Sequence, residues 1–365
     1  MRLDFFPSRT LTVYLAKTFV LRILAVLLML VLVLQMLDLL GESGKILGHP
    51  GNGEEQLWQY VSLRLPQLVA RFLPYSVLLA TIITLATLNQ NSEVIAMKAA
   101  GMSAHQVLAP LLISAFIVSI ASFAFNERVV TRATATLDAW QDVDYGPIPK
   151  DSGIRTNIYM ADGMNILAAG SLTGRGTGAV LENVSFYVRD RNGMIEEQLR
   201  SPRATFANPG WLLEAPTRFD VETAASTKLG PIVVAKELTP TNVALSKVNG
   251  DSQNAMELRE SIDLLKESGR RTSELESKWW HKFSGPLSAA LMPLLGAVAA
   301  FGLARSGQLF LRAVIGMALG FAYFVVDNAA LAMGNFGGYP PLLAAWAPFF
   351  LFALVGETVL IRTEE

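Results

Sequence analysis

Six stretches of this sequence are each long and apolar enough to cross a bilayer, and that fixes most of what the chain can be. A transmembrane helix needs about 20 mostly apolar residues. Residues 19–40, 57–88, 107–125, 283–304, 309–333 and 342–361 meet that length. Only 17% of the chain is charged, against roughly 25% in an ordinary soluble domain. Arg2, Arg9 and Lys17 precede the first run, as in a signal peptide. Its apolar stretch is too long for that, and no small-x-small site follows it. It is read as an uncleaved first span.

Basic residues in short loops set the expected orientation. With the N-terminus in the cytoplasm, Arg2, Arg9, Lys17, Lys98, Arg305, Arg312 and Arg362 fall on the cytoplasmic side or at its boundary. The short outer loops, 41–56 and 334–341, contain only Lys45. Six crossings then return the C-terminus to the cytoplasm.

The middle of the chain is different. Residues 127–277 hold no membrane-length run and are expected outside, as a β domain followed by a connecting helix. Asp162-Gly163 separates alternating stretches at 157–161 and 164–169, a hairpin signal. Further strands are expected at 179–189, 194–199, 203–206, 211–214, 217–222 and 232–236, with turns at Asn192-Gly193 and Asn208-Pro209-Gly210. Short strands at this spacing predict a sandwich, jelly roll or barrel. From Ser252 the period becomes helical, ending near Ser268-Gly269. Lys278-Trp279-Trp280-His281-Lys282 reads as an interfacial belt ahead of the fourth span. The expected units are 1–126, spans one to three; 127–277, the outer β domain and its helix; and 278–365, spans four to six.

Residues 91–103, NSEVIAMKAAGMS, are too short and too polar to span. Asn91 or Ser92 suits a helix N-cap, Glu93 the positive end of the helix dipole, and Gly101 a left-handed exit. Val94, Met97 and Gly101 share one stripe; Ile95, Ala99 and Met102 share another. Such a helix either seats in the groove of a cytosolic partner or lies among the headgroups.

The remaining motifs exclude more than they include. Gly41-Glu42-Ser43-Gly44-Lys45 resembles part of a phosphate loop, but Ile46 stands where Ser or Thr is required. It is read as a flexible outer loop, so any ATP must be hydrolysed on another chain. There is no cysteine, so thiolate metal sites and thiol catalysis are excluded. His49, His105 and His281 are too scattered in sequence to suggest a metal site. The net charge of −1 gives no pull toward nucleic acid.

Asp38, Arg64, Arg71, Asp327 and Glu357 lie within the apolar runs. A charge at the bilayer centre costs about 3 kcal/mol on insertion scales, so such groups pair or line a cavity. Both readings are open for Arg71 and Asp327, and for Arg64 with Arg128 and Arg132 at an outer end. Gly316 and Gly320 form a GxxxG that suits helix packing. Pro66 and Pro74 interrupt the second run, which predicts a kink or an extension beyond the outer surface.

Three spans, a β domain, three more spans and a short helix after span two form a layout that resembles the LptF/LptG family. These are the permease subunits of the bacterial lipopolysaccharide exporter. The resemblance is carried by SEVIAMKAAG at 92–101, Phe72-Leu73-Pro74, IDLLKESG at 262–269, KFSGPLSAALMP at 282–293 and FAYFVVD at 321–327. It covers nearly the whole chain, and the regions around Leu37-Asp38 and FVVD look more like the LptG branch.

What the resemblance implies is a transport subunit and not an enzyme. An LptF-like second permease would pair with this chain in the inner membrane. A cytosolic LptB-like ATPase dimer, carrying ATP and Mg, would hold the coupling helix through Glu93, with Val94, Met97 and Gly101 beside it. Lipopolysaccharide would enter a cavity that here includes Asp38, Arg64, Arg71, Arg128 and Arg132. It would leave along periplasmic jellyroll domains, and an LptC-like single-span subunit would regulate the cycle. Some family members carry lysines at the outer end of span one. Here those surroundings read Gln35, Gly41 and Glu42, with only Lys45 beyond. The alternatives are a non-transporting envelope scaffold and an ion-gradient-coupled lipid transporter.

Overall fold

The computed structural model describes residues 7–147, 155–173, 178–190, 193–240, 243, 249–267, 270–301 and 309–364. The chain begins with helix α1, Arg9–Gly48. Ser8 caps it, its Oγ accepting from the Leu11 N–H. Leu15, Phe19, Ile23, Leu27 and Val31 recur four residues apart and are buried on one face. Leu21, Leu24, Leu28, Leu32 and Met36 stay exposed.

The expected outer loop at 41–48 is instead the last turns of α1. Glu42 and Lys45 pair at 2.9 Å one turn apart, which supports the helix. Ile46 is buried with Tyr60, Leu137, Trp140 and Tyr145. That burial offsets the roughly 1 kcal/mol each that Gly41 and Gly44 cost in a helix interior.

Helix α2, Glu54–Gln90, contains both Pro66 and Pro74. It starts three residues before the apolar run at 57–88 and continues through both prolines as one helix. Its first turns carry Tyr60 into the cluster that packs α1 and α2 against α5. A short helix α3, Glu93–Ala99, follows, then α4, Ala104–Phe125.

The membrane helix does not stop at the expected boundary of 127. It runs through a π-helical turn, Asn126–Val130, into α5, Thr131–Asp142. Ala133, Leu137 and Trp140 have helical spacing and are buried, but the other face is polar and the segment does not read as a span. Trp140 Nε1 donates to the Gly146 carbonyl at 3.0 Å, and the Tyr145 hydroxyl donates to Glu42 at 2.8 Å. The first bond closes the end of α5 on itself, and the second ties it to α1.

Eight antiparallel strands follow. They are β1 (Arg155–Asp162), β2 (Asn165–Thr173), β3 (Val180–Arg189), β4 (Ile195–Phe206), β5 (Trp211–Leu213), β6 (Thr217–Asp220), β7 (Ser226–Lys228) and β8 (Ile232–Val234). The order is β1-β2-β3-β4-β5-β8, with β6 joining β4 to β7. The Asp162-Gly163 hairpin is present, Gly163 lying at φ +59°. Gly193 has φ +82°, while Asn192 lies outside the described residues.

The strands expected at 194–199 and 203–206 are one strand, β4. Pro202 falls between the β6 pairing, which ends at Arg200, and the β5 pairing, which begins at Ala204. Its missing N–H therefore costs no bond on that edge. Strand β7 was not expected, because Ser226, Thr227 and Lys228 are all exposed and carry no apolar alternation. The domain core gathers Leu167, Leu181, Val184, Trp211 and Leu213.

The chain returns through α6, Ala255–Glu267, which lies against the start of α7, Ser273–Phe301. Leu258, Ile262, Leu265 and Leu275 form their contact, with Trp279 packed on it. Ser268-Gly269 lies outside the described residues. Helices α8, Leu309–Asn335, and α9, Pro341–Glu364, complete the chain. Helix α7 is central, packing against α2, α4, α8 and α9.

Five described helices are long and apolar enough to cross a membrane: Arg9–Gly48, Glu54–Gln90, Ala104–Asp142, Val314–Asn335 and Pro341–Ile361. The expected fourth span falls on α7, and residues 302–304 lie outside the described set, as do Arg2 and Arg305.

Candidate functional site

Two places in this architecture carry the groups expected to matter. The first is α3. Gly101 provides the expected left-handed exit at φ +83°, and Ser103 then opens α4 through a reciprocal capping box with Gln106. At the other end the expected side-chain cap is missing. Ser92 itself is left-handed at φ 61° and makes no side-chain capping bond. Asn91 instead closes α2 and donates from Nδ2 to Glu93 at 3.3 Å.

Val94 and Met97 do not face outward. They are 4% and 8% exposed, within the core that holds Leu15, Leu85 and Leu108. They anchor α3 to the bundle, and a partner cannot reach them without unseating it. The outward face comes from the second stripe: Ile95 is 65% exposed, and Ala96 and Ala99 are exposed beside it. Glu93 is held at the edge of that face, accepting from the Tyr14 hydroxyl of α1 at 3.3 Å.

The second place is a cavity of about 910 Å³ between α2, α5, α7 and α8. Arg64 and Arg71 line it from α2, Lys278, His281 and Lys282 from α7, and Asp327 from α8. Asp138 of α5 and Asn249 and Asp251, on the segment returning from the β domain, close its rim. The volume exceeds that of a single water many times over, and the lining mixes both signs of charge.

Most of these charges are already answered. Arg64 binds Asp38 at two points, Nε to Oδ2 at 3.1 Å and Nη2 to Oδ1 at 3.0 Å, while Tyr60 donates to the same Oδ2 at 2.6 Å. Asp38 is thus Arg64's counter-ion and is not itself among the cavity-lining residues. Lys278 pairs with Asp251 and Glu274 at 3.2 and 3.3 Å. Lys282, 7% exposed, pairs with Glu127 at 3.2 Å, and Glu127 also accepts from the Ala255 N–H. Arg71 makes no ion pair among the described residues. Arg71 and Asp327 both line the cavity and do not pair with each other.

Two further expectations change here. Arg128 and Arg132 are exposed on the π turn and α5 and do not line this cavity. Lys278, His281 and Lys282 were read as a headgroup belt, yet they face the cavity. Their i, i+3 and i+4 spacing was the available signal for one shared face. Trp279 of that belt donates to the Ala255 carbonyl at 2.9 Å and packs on α6.

Gly320 does pack closely. A Cβ there would collide with Leu78 Cδ2, so α8 meets α2 through the missing side chain. Gly316 is buried one turn earlier. Among the described residues no cluster of three or more His, Asp or Glu side chains could hold a metal.

Known proteins with these features are identifiable. The family model for the lipopolysaccharide export system permease LptF/LptG matches residues 13–362. The lipopolysaccharide export system permease protein LptG of Escherichia coli K12 is 25% identical over 311 residues, covering 83% of this chain and 84% of that protein. LptG of Haemophilus influenzae is 23% identical over 331 residues, covering 86% of this chain and 89% of that one. A match across almost the entire sequence, on a helical bundle bearing an antiparallel β domain, shows that this chain belongs to the LptF/LptG family of lipopolysaccharide export permeases.

Proposed function

We propose that this chain is the LptG-like permease subunit of an ATP-driven exporter that takes lipopolysaccharide from the outer leaflet of the inner membrane toward the outer membrane. The observation that carries this is the cavity between α2, α5, α7 and α8, whose rim is closed by the segment returning from the β domain. It is large, partly polar, and contains Arg71 as a cation with no acidic partner among the described residues. A phosphorylated lipid headgroup is the matching ligand, since a guanidinium binds phosphate with paired hydrogen bonds.

The rest of the assembly follows from the same reading. Six crossings place both termini in the cytoplasm and the β domain in the periplasm, where it would join a jellyroll bridge. A homologous LptF-like permease would cover part of the exposed apolar face of α1, and an LptC-like single-span helper would bind nearby. An LptB-like ATPase dimer would supply ATP and Mg and receive the Ile95 face of α3, with Glu93 beside it.

Photo-crosslinker side chains placed at 71, 128, 132 and 328 in lipopolysaccharide-containing membranes test this. Adducts at 71 and 328 are expected from the cavity. Absence of lipid adducts at all four positions, with the chain still bound to its ATPase, favours the envelope-scaffold reading. Lipid export that continued without any ATPase would favour gradient coupling.

A further inference from the structure

Among the described residues that line the cavity, Asp327 is the carboxylate with no hydrogen bond. It is 6% exposed, and its Oδ1 has no hydrogen-bond partner among the described residues. Its Oδ2 lies 3.9 Å from His281 Nε2, beyond a direct hydrogen bond. A buried carboxylate so placed bears a desolvation cost with little return, and a proton removes that cost. His281 is positioned for the exchange. Its Nδ1 lies 3.3 Å from Ser284 Oγ. The imidazole rests against Gly285, where a Cβ would sit 3.1 Å from Nε2. One water can bridge the remaining gap to Asp327.

The surroundings decide which way the proton moves. Arg64, Arg71 and Tyr75 face the cavity from α2, Lys278 and Lys282 from α7, Asp138 from α5 and Asp251 from the returning segment. Tyr323 lies one turn before Asp327 on α8, and α9 contributes no lining group. Arg64, Lys278 and Lys282 have acidic partners, so their fields are largely cancelled. Arg71 has no acidic partner among the described residues and lines the same cavity as Asp327. Tyr75, which also lines the cavity, stacks on Phe324 of α8 at 3.8 Å, so α2 and α8 are one aromatic layer apart here. An anion bound to Arg71 brings a like charge into the cavity that holds Asp327, which favours the protonated acid.

We propose that Asp327 and His281 together hold one exchangeable proton, and that an anionic lipid headgroup binding beside Arg71 takes up that proton as it binds. This rests on the reading of the cavity as the site for an anionic lipid. Linkage is reciprocal, so the proton strengthens lipid binding by the factor by which lipid strengthens proton binding. Lipid affinity then falls as pH rises through the titration of the site, by at most about tenfold per pH unit for one proton.

The test uses the full chain in nanodiscs and a fluorescent lipid A probe between about pH 5.5 and 8.5, a range that spans histidine titration. The wild-type affinity is expected to fall several-fold or more per pH unit over part of this range, and that of Asp327→Asn to stay flat. A flat wild-type profile overturns the proposal. An unchanged slope in Asp327→Asn also overturns it, because the proton then sits on the lipid phosphate, whose second ionisation lies near pH 6. Infrared spectroscopy of the wild-type chain provides a readout that needs no lipid. A carboxylic-acid band that grows in as the pH is lowered across this range, and is missing from Asp327→Asn, supports the proton site; its absence from the wild type at every pH in the range overturns it. Failure of lipid A to bind at any pH counts against the lipid reading alone, and the infrared band then decides the proton site.

Discussion

Asp38 and Arg64 join α1 to α2 through two hydrogen-bonded contacts of 3.0 and 3.1 Å, and Tyr60 donates a third bond to the same carboxylate at 2.6 Å. Both side chains are about a quarter exposed, at 22% and 27%. The pair therefore answers the cost of two charges in the apolar runs. It also removes Arg64 from the pool of cations available to a ligand.

Replacing Asp38 with Asn is expected to destabilise the chain by about 2 kcal/mol. That is below the 3–5 kcal/mol seen when a fully buried pair loses one partner, because this pair keeps some contact with solvent. Thermal unfolding in detergent measures it. The double variant Asp38→Asn/Arg64→Gln should recover most of the loss, since no charge is then left uncompensated. A double variant no more stable than Asp38→Asn would show that the hydrogen bonds, and not the unpaired charge, dominate.

Gly320 faces a buried Leu78, whose Cδ2 would collide with a Cβ at that position. Gly320→Ala is expected to cost about 1–3 kcal/mol through overpacking between α8 and α2. Leu78→Ala in the same chain should return part of that cost. If Gly320→Ala alone leaves the melting temperature unchanged, the helices can shift freely there and the close approach is not specified by glycine.

The apolar runs were legible because their length is a property of local composition. The β hairpins were legible where a Gly or Asn turn stood between alternating residues. Helix α5 was not, because Leu137 and Trp140 find their partners on α1 and α2, nearly 80 residues or more away. Strand β4 was read as two strands, 194–199 and 203–206, since nothing local shows that one strand pairs first with β6 and then with β5. The cavity was legible only in pieces. Arg71 and Asp327 stood out as charges in apolar runs, but Lys278 and His281 looked like an ordinary interfacial belt. Only the packing of α2, α7 and α8 brings them together.

The junction between α6 and α7 should be sensitive to acid. Glu276, ahead of the apolar part of α7, accepts from Lys266 at 2.8 Å and from Thr272 at 2.7 Å. Burial pushes its carboxyl up, but the bonds to Lys266 and Thr272 outweigh this and hold it below the usual glutamate value of 4.5. A carboxyl lowered by folding contributes stability that is fully present above the unfolded value and is lost as pH falls through the folded one. Hydrogen exchange in α6, corrected for intrinsic rates, should therefore speed up on acidification below the glutamate range. Glu276→Gln should bring the same loss of protection at neutral pH; unchanged exchange in that variant would remove Glu276 from the account.

Val94 and Ile95 are adjacent, yet they face opposite ways, and this separates folding from docking. Val94 is buried against the bundle, whereas Ile95 is 65% exposed on the outer side of α3. Val94→Ala is expected to cost about 2 kcal/mol of stability, the worth of a buried valine side chain. Any loss of ATPase binding should follow from that instability. Ile95→Asp should leave the melting temperature within about 0.5 kcal/mol of the parent, as for other surface changes, yet reduce co-purification with the ATPase at least tenfold. Glu93→Lys should weaken the same association, and Tyr14→Phe much less, because Tyr14 only orients the carboxylate from α1. Retention of the ATPase by Ile95→Asp would move the contact elsewhere. It would leave α3 as a helix lying in the headgroups, the other reading that its sequence allows.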